Sequence, residues 1–454
     1  MVQVMRQSVQ DMTSGSLAKK ILMFSVPLML SNLLQVLFNM ADIAVIGHFA
    51  GAMSLGSVGS TTILVSMFTG FLIGVSGGIN VMAARYIGGG NARALSETVH
   101  TSAIVSAMIG MILAGAGILF ARPVLEILNT KPELIDGAIL YLTIYFLGMP
   151  ALAVYNFGNA IFSAAGDTGK PLRYLTFAGV VNVILNLFFV IRCGLDVAGV
   201  ALASIISQYL SAGMIVAALM RTKADFRLRI SELHISRSKA RSVLQIGIPA
   251  GVQNAIFQIA NLFIQTGVNS FSAIMVAGNS AAANADALVY DVMAAFYTAC
   301  GSFMGQNYGA GKRDRVLKSY FISLGYSFGI GLAMGLALVL FGRQFLSLFT
   351  SDTEVISAGM QRLTIMGFSY GFSAFMDASI AASRAMGKSL VPTVIVLLGS
   401  CVFRIIWVNT VFAYFRTIPS LYLLYIFSWT ITAVAETIYF AKIYRIQIEK
   451  MDMS

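Results

Sequence analysis

Charged residues make up only 11% of this 454-residue chain, against about 25% in ordinary soluble domains. With 57% hydrophobic residues and a mean hydropathy of +0.81, that scarcity excludes a soluble globular fold and points to a polytopic helical membrane protein. Strict apolar–polar alternation is also missing. The apolar runs are continuous, which excludes a membrane β-barrel. Cysteine and histidine are sparse. Cys193, Cys300 and Cys401 are scattered in or near apolar segments and read as packing residues, not as disulfides or metal ligands. His48, His100 and His234 have no ligand spacing, so neither a metal site nor a cofactor is expected from them. No Ser-His-Asp set and no carboxylate pair at catalytic spacing stands out, so an enzyme is not expected. A cleavable leader is not expected either, because Met1 to Lys20 is polar and the first apolar run leads directly into a full span.

What is abundant is apolar sequence. It predicts an all-α protein of about twelve spans, near 20–44, 54–79, 97–120, 138–160, 172–192, 198–220, 241–267, 276–301, 318–341, 357–382, 391–412 and 419–441. The net charge of +11 is confined to alternate loops. One set holds Arg6, Lys19, Lys20, Arg85, Arg93, Lys170 and Arg173, then a basic linker over 221–240, then Lys312 to Lys318, Arg384, Lys388, Lys442, Arg445 and Lys450. The opposite set holds only Arg122, Lys131, Arg192, Arg343 and Arg416. This asymmetry places both termini and the linker in the cytoplasm. It reads as a topology signal and a contact for anionic lipid, and nucleic-acid binding is not expected.

The stretch Ile21 to His48 crosses the bilayer yet carries Asn32, Gln35, Asn39 and Asp42 at steps that put all four on one helical face. Such a stripe is costly against lipid, so it is expected to face a bundle interior or a watery cavity. Pro27 removes one backbone hydrogen bond and predicts a kink. The pattern returns later, with Pro249, Asn254 and Asn261 placed 222 residues after Pro27, Asn32 and Asn39. Asn254, Gln258, Asn261 and Gln265 form the second stripe. A second register confirms the duplication. At an offset of 221, Leu119, Phe120, Arg122, Leu125 and Glu133 match Leu340, Phe341, Arg343, Leu346 and Glu354, and Gly88, Gly90, Gly166 and Pro171 match Gly309, Gly311, Gly387 and Pro392. Two six-helix lobes are therefore expected, an N-terminal one over 1–220 and a C-terminal one over 241–454. Each holds an even number of spans, so they are expected to share an orientation, with substrate groups near mid-membrane.

Glycines at four-residue spacing, as in Gly70, Gly74 and Gly78 or Gly331 and Gly335, read as close helix packing. GGGNAR (Gly88–Arg93) and GAGKRDR (Gly309–Arg315) look like phosphate loops, but they follow no strand and lack a correctly placed lysine, so they read as turns. Among polar groups inside spans, Asp42 and Asp377 are candidate proton- or Na+-binding carboxylates. Asn182 and Asn186, four residues apart, are candidates to share the first site. Asn156 lies 221 residues before Asp377. Asp286 and Asp291 point in different directions, and either is a candidate cavity group. Essentially one arginine, Arg404, is expected within a span, with Asp377 or Glu436 as its partner. Phe257, Tyr290, Tyr297, Phe372 and Phe375 are candidate faces for an organic cation.

These features together resemble the multidrug and toxic compound extrusion (MATE) family. The resemblance rests on NMADIAVIGHFAG (Asn39–Gly51), GDTGKP (Gly166–Pro171), NVILN with GLDVAGVALASIISQ (within Asn182–Gln208), MGQNYGAGK (Met304–Lys312) and MDASIAASRAMGKSLVP (Met376–Pro392). It implies two lobes that alternate access across a cell membrane and export organic cations in exchange for Na+ or H+, without a prosthetic cofactor. It implies that Asp42 and Asn182 belong to a first-lobe cation site, that the Pro27 kink is linked to gating, and that Pro249 is its counterpart. Asn186 falls where many members carry Asp. Asp377 matches a carboxylate of the sodium-coupled branch, whose span 7 glutamate is replaced nearby by Phe257 and Gln258. The alternatives are a lipid-linked-oligosaccharide flippase of the related superfamily and a membrane scaffold that transports nothing.

Overall fold

The computed structural model describes residues 11–452, with side chains through Glu449. Arg6 and the side chain of Lys450, both part of the charge pattern above, lie outside the described residues. All the regular structure in that range is helical. In chain order it comprises α1 (Leu17–Val45), α2 (Gly51–Gly88), α3 (Ala92–Ile127), α4 (Pro132–Phe146), α5 (Met149–Ala164), α6 (Gly169–Leu187) and α7 (Asp196–Arg221). A basic connection then leads to α8 (Arg237–Val268), α9 (Ala273–Gly309), α10 (Arg313–Leu346) and α11 (Thr353–Ala385). The next span is assembled from α12 (Leu390–Val396), α13 (Phe403–Trp407) and α14 (Ala413–Phe415) with wide π turns between them, and α15 (Ile418–Asp452) closes the chain.

Each of the twelve expected spans has its helical counterpart. A span needs about 20 residues, so the 38-residue α2 and the 37-residue α9 extend beyond a bilayer core. Among the described residues, nine helical stretches are long and apolar enough to cross a membrane, or ten with the bent pair α4–α5. The count is below twelve because α1 and α2 run on as one stretch through a π turn, and because α11 is too polar to qualify. The fourth span is not one helix. It bends by 47° between α4 and α5, where Pro150 enters the first turn of α5 and cannot continue the α4 hydrogen-bond ladder. Pro27 and Pro249 instead lie inside α1 and α8, which remain single helices.

The chain forms two compact units. One comprises Leu30–Gly251 and Asp11, the other Met12–Met29 and the chain from Val252 on, within the described residues. The boundaries fall just after Pro27 in α1 and just after Pro249 in α8, so each of these helices contributes to both units.

Within the first unit, apolar packing forms two clusters. One gathers Ile79, Phe157, Ile161, Phe162, Ile215 and Phe226, the other Ile46, Leu125, Leu142, Phe146, Met149 and Val200. The connection to α8 is strapped to this unit. The Arg229 amide donates to His100 Nε2 at 3.0 Å, the Ser236 amide donates to Thr101 Oγ1 at 3.0 Å, and Lys239 Nζ donates to the Tyr86 hydroxyl at 3.0 Å.

The second unit has a large core in which α11 packs against α9, α10 and α15. Ile21, Phe24 and Leu28 of α1 pack on Ala295, Phe296 and Phe303. Its strap is the segment before α1. Arg315 donates to the carbonyls of Met12, Ser14 and Gly15, and Lys312 Nζ donates to the Thr13 carbonyl at 2.7 Å.

Glycine marks both the repeat and the packing. Gly90 and Gly311 take φ of 64° and 68°, and Gly166 and Gly387 take 88° and 80°. These left-handed turns explain why glycine recurs at the repeat offset. Packing explains others. A Cβ on Gly74 would lie 2.3 Å from the Gly251 nitrogen, and one on Gly335 would lie 2.0 Å from the Gly367 carbonyl oxygen.

Candidate cation and substrate sites

In the first unit, α1 and α6 meet through a carboxylate–amide knot. The Asn186 side-chain nitrogen donates to Asp42 Oδ1. The Asn182 amide is satisfied at both ends when its nitrogen faces the same carboxylate. It then donates to Asp42 Oδ1 at 2.9 Å and accepts from the Ser204 backbone N–H of α7 at 3.3 Å. Asn182 and Asn186 are buried and Asp42 is half-buried. The second oxygen of the knot, Asn186 Oδ1, is buried without a hydrogen-bond partner. Carboxylate and amide oxygens are hard donors, the type that holds Na+ or, on the carboxylate, a proton. Tyr141 and Tyr145 of α4, stacked at 5.7 Å, interact electrostatically with Asp42. Of the rest of the stripe, Asn32 is half-buried, whereas Gln35 and Asn39 are exposed on the isolated chain. Asn156 is half-buried on α5.

The second unit is organised around three arginines, of which Arg362 was not anticipated. Arg362, 7% exposed, donates through Nε to Asp286 Oδ2 at 3.0 Å and through Nη1 to Asn279. Asp286 also accepts from the Tyr370 hydroxyl, and Tyr422 donates to Asn279 at 2.6 Å. Asp286, expected among cavity groups, is thus engaged as the counter-ion of Arg362. Its charge offsets a cation that would otherwise be stranded inside α11. The expectation of essentially one arginine within a span is corrected here. The signal was legible, since Arg362 lies inside the expected span 357–382, and a charge within a span requires a partner.

Arg404 is 1% exposed, but it pairs with neither Asp377 nor Glu436. Its guanidinium stands 4.7 Å from the Tyr425 ring centre and 4.8 Å from that of Phe257. It donates to Ser428 at 3.3 Å and to Asn261 at 3.4 Å, while Nη2 has no partner. Aromatic quadrupoles and neutral acceptors take the place of the expected ion pair. Phe257, expected as a face for a ligand cation, therefore already faces a protein cation. Asn261 of the second stripe is the acceptor, while Asn254 and Gln258 are half-buried on the same helix.

Arg384, 7% exposed, donates to the Tyr297 hydroxyl and, at 2.8 Å, to Gln253 Oε1. It interacts electrostatically with the half-buried Asp377. Among the described residues no cluster of three or more His, Cys, Asp or Glu side chains suited to a metal ion occurs. Cys193, Cys300 and Cys401 are all free thiols.

Comparison with known proteins supplies the lineage. The MatE family model matches residues 27–188 and matches again over 249–410. Both matches begin on the helix prolines. A probable multidrug resistance protein of Bacillus subtilis, YpnP, is 27% identical over 398 residues, spanning 87% of this chain and 88% of the relative. An FAD transporter of Shewanella oneidensis is 23% identical over 367 residues, spanning 79% and 80%. Among solved structures, an outward-facing multidrug resistance MATE family transporter of the MOP superfamily superposes with a TM-score of 0.89 at 20% identity, covering 99% of both chains.

Proposed function

The chain belongs to the MATE family, and from that premise we propose that it is a secondary antiporter of a bacterial cell membrane, exporting organic cations and drug-like amphiphiles in exchange for Na+ or H+. The charge asymmetry of its loops supports cytoplasmic termini. The observation that carries the reading is the knot of Asp42, Asn182 and Asn186, with one amide oxygen left without a partner inside the first unit.

A cation entering the knot neutralises Asp42 and finds an oxygen ligand in Asn186 Oδ1. Its departure restores a carboxylate that the two amide N–H groups stabilise. Two states of similar free energy, differing by one bound cation, are what alternating access requires. Asp377 is the corresponding candidate in the second unit. Pro27 and Pro249 provide the places at which α1 and α8 flex, and the polar stripe of each helix offers substrate contacts within its own unit. No covalent step, prosthetic group or nucleic acid enters this scheme.

A second reading, export of an anionic amphiphile or lipid-linked compound, is favoured by Arg404, a buried guanidinium with one nitrogen unpartnered. The experiment that separates the readings uses purified protein in liposomes. Efflux of ethidium, a fluorescent organic cation, and of an anionic flavin is followed under a sodium gradient and a pH gradient imposed separately. The cation antiporter reading expects gradient-driven ethidium efflux that is lost in Asp42→Asn or Asp377→Asn. Both variants should still fold, because the amide replaces one carboxylate oxygen. Gradient-independent ethidium movement with driven flavin efflux would overturn it in favour of the anionic reading.

A further inference from the structure

The second unit contains a buried carboxylate that no role yet described uses. Glu436 of α15 is 0% exposed, and both its carboxylate oxygens are without a hydrogen-bond partner. It interacts electrostatically with Arg384 and Asp377 of α11, the helix against which α15 packs. Arg384 directs Nη1 and Nη2 to Tyr297 and Gln253, and its Nε has no partner. The neighbouring residue Thr437 joins Ser379 at 3.1 Å, which fixes α15 against α11 at this level.

The other ionisable groups around α15 do not balance Glu436. Arg404, on the adjacent span, interacts with Tyr425, Tyr290 and Cys401. Tyr297 on α9 is taken by Arg384, and Tyr320 on α10 is hydrogen-bonded to Ser379. Tyr439 lies on α15 itself and adds no positive charge. One guanidinium thus interacts with two carboxylates, of which Glu436 is the more deeply buried. A bare carboxylate with no hydrogen bond is severely disfavoured in such surroundings.

We infer that Glu436, with Asp377 and Arg384, forms a second monovalent-cation site in which Glu436 carries one exchangeable H+ or Na+. The local charge then sums to zero when the cation is bound and to one negative when it leaves. Arg384 stabilises the empty state by long-range attraction, since its own hydrogen bonds go elsewhere. This inference rests on reading the chain as a cation-coupled exporter, and it adds a carboxylate on α15 to the one on α11.

The test compares wild type with Glu436→Gln and with Glu436→Met in detergent and liposomes. Proton release and radiolabelled Na+ displacement are counted when ethidium is added to the purified protein. The expected result is that both variants fold and release one cation fewer per protein than wild type. The proton and sodium counts identify which cation is lost. An unchanged count in either folded variant would overturn the inference. So would failure of both variants to fold, because that would make the Glu436 charge a structural partner. A wild type whose ethidium efflux ignores both gradients defeats the exporter reading itself. A coupled wild type with an unchanged Glu436→Gln count defeats this inference alone.

Discussion

In both units the first helix of the repeat meets the fifth span through polar side chains, but the two contacts carry opposite charge. In the first unit α1 and α6 meet through Asp42, held by Asn182 and Asn186. In the second, α8 and α13 meet through Asn261 and Arg404, surrounded by Phe257 and Tyr425. At the offset of 222 residues between the two family matches, Arg404 stands where Asn182 stood. The duplicated scaffold therefore fixes where helices meet while leaving the sign of the charge free. An anionic knot suits a small cation. A guanidinium among aromatic rings excludes one and holds its own charge by quadrupole attraction. A similar divergence separates the fourth spans. Pro150 breaks α4 from α5, whereas α11 has Gly371 at the equivalent position and runs unbroken from Thr353 to Ala385.

The largest expected effect comes from breaking the second unit's ion pair. Arg362→Met leaves Asp286 buried without its counter-ion, and breaking a buried pair costs about 3–5 kcal/mol. The corresponding first-unit position is Tyr141, where Tyr141→Phe removes only a hydroxyl and is expected to cost about 1 kcal/mol. Fluorescence-detected unfolding of the purified variants measures both. Equal losses would show that the two units share one stabilising logic. Next comes helix contact. Gly335→Ala is expected to cost about 1–3 kcal/mol through overpacking against Gly367. Gly329→Ala, which meets nothing within 4 Å, is expected to leave stability unchanged.

Smaller effects belong to the straps. Arg315→Met removes donors from three carbonyls and should release the segment before α1 at a cost of about 1.5–3 kcal/mol, the range for a charged donor. Thr101→Val removes the acceptor of the Ser236 amide and should cost about 1 kcal/mol. Hydrogen exchange checks the pair: the Ser236 amide should exchange faster in Thr101→Val and keep its rate in Arg315→Met. A small stability change is expected for Arg404→Met. Replacing an unpaired buried charge by an apolar side chain of similar length is close to neutral, in contrast to the same substitution at Arg362.

The scaffold was legible because lipid enforces it. A span must be long, apolar and internally hydrogen-bonded, so the apolar runs located all twelve helical segments, and the paired glycines located the turns that need positive φ. The carboxylate–amide knot was legible from Asn182 and Asn186, whose four-residue step places both on one face of α6 opposite Asp42. The second unit was less legible. Arg362 and Asp286 lie on different helices, 76 residues apart in the chain, and helical periodicity reports only neighbours on one helix. Arg404 was expected to have a carboxylate partner because it lies within a span, but a charge requirement does not say which helix meets it, and aromatic rings do so instead. The break at Pro150 was signalled by the proline itself, but an apolar run conceals a bend that does not interrupt its hydropathy.

Asp42, Asn182 and Asn186 are proposed to hold the exchangeable cation of the first unit. The most direct test is cation binding by the purified protein, measured as radiolabelled Na+ uptake and as proton release on Na+ or ethidium addition, in wild type and in Asp42→Asn. The wild type is expected to bind cation at this knot, and Asp42→Asn, still folded, is expected to lose that one binding event while retaining any that belongs to the second unit. Unchanged cation binding in folded Asp42→Asn would contradict this assignment.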